Sequence, residues 1–127
     1  MNKNKNSDIF ETIKTVISSI KQSNDYNAIE KMLEEIQDSD IDAETQLLLY
    51  SIYEINTETE NDYLWSLLHF IEKIPNSESS LIKSLNKLNS VFTVRMLGRC
   101  LNANINNIDG IDVRKYLTLI IEDAYVS

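Results

Sequence analysis

The stretch Asp62-Tyr63-Leu64-Trp65-Ser66-Leu67-Leu68-His69-Phe70-Ile71-Glu72-Lys73-Ile74-Pro75 decides the fold. At about 100° per residue, Tyr63, Leu64, Leu67, Leu68, Phe70, Ile71 and Ile74 fall on one broad arc, with Asp62, Ser66, His69 and Lys73 opposite. The stretch therefore reads as a helix with one face in a core. Pro75 stops it, because proline disfavours helical geometry in the residue before it. Trp65, His69 and Pro75 are the chain's only tryptophan, histidine and proline. Trp65 lies off the apolar arc, in a column with His69 at i+4 and Glu72 at i+7. A tryptophan left bare on a polar face is unfavourable, so either a neighbouring helix covers it or a partner does.

The same helical spacing continues on both sides. Before the stretch, helices are predicted near residues 8–21, 25–37 and 42–55; after it, near 77–88, 90–101 and 112–124. The segment 42–55 carries apolar side chains around nearly its whole circumference and belongs in the middle. Asparagines and a glycine make 102–110 the longest irregular stretch. Two glycines and one proline leave little material for β-hairpins. The expected fold is all-α, about seven helices in antiparallel hairpins, arranged as a stacked, curved, HEAT-like layer or a compact bundle. Residues 1–7 read as a flexible N-terminal tail and 8–127 as a single all-helical domain.

Charge is distributed unevenly. The net charge is −8, and residues 23–62 hold twelve acids against Lys31 alone. An acidic chain of this kind is a poor ligand for nucleic acid, and it suits a basic protein partner or none. The acidic band comprises Glu30, Glu34, Glu35, Asp38, Asp40, Asp42, Glu44, Glu54, Glu58, Glu60 and Asp62. One reading makes it a solvated surface that keeps the protein in solution. The other makes it an acidic rim around Tyr50, Tyr53 and Tyr63, which would serve as aromatic anchors for a basic partner. The residues expected to touch a partner are Glu34, Asp38, Asp40, Asp42, Tyr53, Glu58, Glu60, Asp62, Trp65, His69 and Glu72.

Catalysis finds no support in the sequence. There is no glycine-rich phosphate loop, nucleophile elbow or paired cysteine motif. His69 and Glu72 could share a metal, but no further histidine or thiolate pair completes a ligand set, so no metal or cofactor is expected. Cys100, the only cysteine, cannot form an intrachain disulfide and reads as a packed structural thiol. No apolar run approaches the roughly 20 residues of a membrane span, so a cytoplasmic protein without membrane association is expected.

The segment from Asp62 to Glu72, followed by a proline and a further helix pair, resembles the signature of the immunity protein thirty family of bacterial polymorphic-toxin systems. Trp65, Ser66, Leu67, His69, Ile71 and Glu72 match a central Trp-Ser-Leu-x-His-x-Ile-Glu pattern, and Arg95-Met96-Leu97-Gly98-Arg99 is also similar. The resemblance covers roughly residues 40–105. It implies a non-catalytic inhibitor that binds and neutralises a cognate toxin domain, and the acidic band would suit a basic toxin such as a nuclease. Two other functions remain open: a helical adaptor binding a peptide or protein, and an acidic mimic of nucleic acid.

Overall fold

Residues 43–55 carry apolar side chains around nearly their whole circumference, and the fold is built around them. In the computed structural model, which describes residues 2–37 and 40–126 and the side chains of 8–37 and 40–122, seven α-helices form among the described residues. They are α1 (Asn2–Ser23), α2 (Ala28–Ile36), α3 (Ala43–Ile55), α4 (Asp62–Glu72), α5 (Ser77–Lys87), α6 (Val91–Asn102) and α7 (Val113–Val126). The protein is all-α, as the sequence predicts.

α3 packs against α1, α4, α5 and α6. Contacts also run from α2 to α4 and from α4 to α6, so α1, α3 and α5 form one row and α2, α4 and α6 a second, with α7 against α6. This is the stacked alternative of the two expected architectures. Leu49, Tyr50, Ile52 and Tyr53 of α3 and Leu64, Leu67, Leu68 and Ile71 of α4 are all essentially inaccessible and join one core. No helix among the described residues is long and apolar enough to cross a membrane.

Helix starts follow local chemistry. The Asp42 carboxylate accepts from the Thr45 N–H (2.8 Å) and Asn61 Oδ1 from the Leu64 N–H (2.9 Å), each satisfying an amide at a helix N-terminus. Ser90 and Thr93 form a reciprocal capping box at α6. α1 departs from expectation by starting at Asn2, so residues 2–7, read as tail, belong to the helix. No proline or glycine separates them from Asp8, and extending an existing helix is far easier than nucleating one. Residue 1 lies outside the described residues.

The spacing of the sequence puts Leu81, Ile82, Leu85 and Leu88 inward on α5 and Val91, Val94, Leu97 and Leu101 inward on α6, and the structure differs at these two faces and at one connection. Leu88, just past the end of α5, is exposed, whereas Ser77, Ser80 and Ser84 of that helix are buried against α3. There the Ser80 hydroxyl donates to Gln46 Oε1 (2.8 Å), and the Tyr50 hydroxyl donates to the Ser77 carbonyl (3.1 Å). Small side chains bring the helices close, and these bonds satisfy the polar atoms that burial would otherwise strand. On α6 the buried set is Phe92, Thr93, Met96, Leu97 and Cys100, with Val91 turned outward. The third difference lies in the segment read as irregular. Asn107–Ile108 (β1) pairs antiparallel with Ile111–Asp112 (β2) across Asp109 and Gly110, both at positive φ (53° and 79°). Asp-Gly is a favoured pair for that tight turn, and buried Ile108 and Val113 anchor the hairpin.

Candidate functional site

The two edges of α4 hold most of the residues singled out from the sequence. One edge faces α6. There the Trp65 ring meets Phe92 edge-on (centroids 5.2 Å apart, planes at 75°), and Phe92 stacks on Tyr53 (5.2 Å, 24°). The Arg95 guanidinium lies 5.1 Å above the Trp65 ring, while its Nη1 donates to Glu60 Oε1 at 2.7 Å. A column thus runs outward from the core through Tyr53, Phe92, Trp65, Arg95 and Glu60. Each step is a favourable contact: aromatic on aromatic, cation on π-face, then cation to carboxylate.

One turn further along, Arg99 grips Glu72 with two bonds, Nε to Oε2 at 2.7 Å and Nη2 to Oε1 at 2.9 Å. This fork geometry fixes orientation as well as supplying charge, and the hydrogen-bonded carboxylate raises the Arg99 pKa further. The two segments that carry the family resemblance therefore meet across this seam, Trp65 with Arg95 and Glu72 with Arg99. Trp65 is half-buried and covered by a neighbouring helix, the first of the two alternatives left open for it.

Tyr53 is a correction. Expected as a surface anchor, it is 1% exposed, its ring on Phe92 and its hydroxyl donating 2.9 Å to the Leu64 carbonyl. Burial raises its pKa, so it remains a neutral donor. Tyr50, from the same expected rim, is also buried. A tyrosine on a helix packed by four others has no route to a partner.

The acidic band likewise divides. The Glu54 side chain, only 10% exposed, binds Lys87 Nζ at 3.1 Å and accepts from the Ser84 hydroxyl. Glu60 and Glu72 are held by the α6 arginines. Asp42 is exposed but caps α3, and hydrogen bonding to Thr45 holds its carboxyl below the usual range. Asp38 lies outside the described residues. Among the described residues, Glu30, Glu34, Glu35, Asp40, Glu44, Glu58 and Asp62 are exposed and form no ion pair.

The other edge of α4 faces α2 and leaves a groove of about 750 Å³ between them. Leu33, Ile41, Phe70 and Ile74 line it as half-buried apolar walls, with Glu34 and Asp40 on one lip and Ser66, His69 and Lys73 on the other. The spacing places Leu33 on the inward stripe of α2, with Tyr26, Ile29, Met32 and Ile36, and Phe70 on the inward arc of α4, and neither assignment predicts a groove. Its only sequence signal is that each sits at the margin of its arc. His69 lies where the two edges meet, lining the groove while its Nδ1 is 3.9 Å from Glu72 Oε1.

Cys100 is a buried free thiol, and burial, with help from Glu78 and Glu72, pushes its pKa up to about 11. It is a packed thiol that stays protonated at neutral pH. Among the described residues no group of three or more His, Cys, Asp or Glu side chains converges to hold a metal ion. Compared with protein-family models, curated proteins and solved structures, the chain has no match.

Proposed function

We propose that this chain is a non-catalytic immunity protein that binds a basic bacterial toxin domain and neutralises it, protecting the cell that makes both. The observation that carries the reading is the division of the carboxylates. Three are consumed by Lys87, Arg95 and Arg99, whereas seven on and around α2, the starts of α3 and α4, and their connections stay exposed and form no ion pair among the described residues. Like charges left together cost a little stability, and a surface of this kind speeds association with a basic partner. The resemblance of the Trp65–Glu72 and Arg95–Arg99 segments to an immunity family points the same way.

Binding in this reading blocks the toxin by occupancy, so the chain needs no reacting group of its own. The test is co-expression of the chain with the toxin domain encoded by the adjacent gene in a susceptible host. Survival of the host, together with a co-purifying complex, is expected. Continued killing at equal expression would overturn the proposal.

A further inference from the structure

We infer that the α2/α4 groove is the seat for one amphipathic helix of the toxin, with its apolar side chains in the groove and a basic edge against Glu34 and Asp40. The inference rests on the immunity reading only for the source of that helix. Three features of the groove specify the occupant.

The first is its floor. Leu33 and Ile41 from one side and Phe70 and Ile74 from the other are each only half-buried, and they converge on one space. Four apolar side chains left half-covered in a single concavity favour apolar anchors, and about 750 Å³ admits several side chains but no second folded layer.

The second is its length. The α4 lip runs from Ser66 through Phe70 to Lys73, positions i, i+4 and i+7, a rise of about 10 Å at 1.5 Å per residue. Anchors at i, i+4 and i+7 of a docked helix span the same distance, which is the usual pattern of helix-in-groove recognition.

The third is charge. Glu34 and Asp40 stand on one lip, and Glu30 lies one turn before Glu34 on the same edge of α2. The opposite lip carries Lys73. A helix with Lys or Arg along one edge and acidic residues along the other fits in one orientation, and the reversed helix would set like charges against both lips.

The test uses the full chain and a labelled synthetic peptide of about 15 residues, long enough to take helical form on binding. The peptide carries leucines at i, i+4 and i+7 and lysines along one edge, and a counterpart has glutamate for every lysine. Fluorescence anisotropy at low salt should show the lysine peptide binding at least about tenfold more tightly than its counterpart. The double variant Glu34→Lys/Asp40→Lys should reverse that preference, and Phe70→Asp should abolish binding of both peptides while circular dichroism confirms the helical fold. Equal binding of the two peptides, or a preference unmoved by the double variant, would overturn the inference.

Protection of cells separates this inference from the immunity reading. If wild-type chain fails to protect but shows the reversible charge preference, immunity falls and the groove stands. If Glu34→Lys/Asp40→Lys and Phe70→Asp protect as well as wild type and bind the toxin with unchanged affinity, the groove falls and immunity stands.

Discussion

On its α6 side, α4 meets a partner for nearly every group it presents: Trp65 has Phe92 and Arg95, and Glu72 has Arg99. On its α2 side, the same helix leaves Phe70 half-covered and faces Glu34 and Asp40, which have no ion-pair partner among the described residues. The two sides use similar chemistry, an aromatic ring beside charged side chains. The difference is whether the complementary groups come from this chain. A satisfied edge fixes the fold, and an unsatisfied one is available to something else.

The largest effect expected from this contrast is on stability. Trp65→Ala removes a ring held between Phe92 and Arg95 and should cost about 3 kcal/mol, somewhat below the loss for a fully buried aromatic. Phe70→Ala, on the open edge, should cost less, about 1 kcal/mol, since its ring is smaller and lines an open groove with no aromatic or cationic partner on it among the described residues. Urea denaturation followed by circular dichroism would measure both, because Trp65 is the only tryptophan and its fluorescence is lost with it. Equal losses would mean that the two edges are equally structural, and the contrast would break.

How much of this was legible in the sequence depends on distance along the chain. The starts of α3 and α6 were readable to within a few candidates, residues 39–42 for one and Asn89 or Ser90 for the other, because each cap and the amide it serves lie within three residues, Asp42 with Thr45 and Ser90 with Thr93. The column of Trp65, His69 and Glu72 was readable for the same reason. Its partners were not. Arg95 and Arg99, at i and i+4, form a basic stripe on a later helix, and nothing local assigns them to Glu60 and Glu72, 35 and 27 residues earlier.

Tyr53 shows a conflict between two local readings. As one residue of an all-round apolar helix it belonged inside; as an aromatic among carboxylates it could serve as an anchor. The helix-level reading prevailed because Tyr53 lies with Leu49, Tyr50 and Ile52 on the sides of α3 that its neighbouring helices cover. The groove was illegible for a different reason. It exists only through the spacing of α2 and α4, and an apolar residue at the edge of an arc looks the same whether or not its neighbour closes over it.

A smaller effect concerns the paired charges of the seam. A double-mutant cycle on Glu72→Gln and Arg99→Ala should give a coupling of about 1 kcal/mol, the upper part of the range for partly exposed pairs because the geometry is bidentate. Raising salt should reduce it. A coupling near zero would leave the aromatic column and the shared apolar core as the ties across the α4–α6 seam.

The smallest effect is expected where charges are most numerous. Neutralising Glu30, Glu34, Asp40 and Glu58 with Gln or Asn removes carboxylates that form no ion pair among the described residues, so stability should change by no more than about 0.5 kcal/mol. The direction should be favourable, because each removed charge relieves repulsion within a segment that holds twelve acids and one lysine over residues 23–62. Salt reports the same repulsion. Raising ionic strength from low to about 0.15 M shortens the screening length to about 8 Å and should stabilise the wild-type chain slightly, and the neutralised variant less. A loss above about 1 kcal/mol in the variant would mean that these carboxylates hold the fold as Glu60 and Glu72 do, and the distinction between the two edges of α4 would disappear.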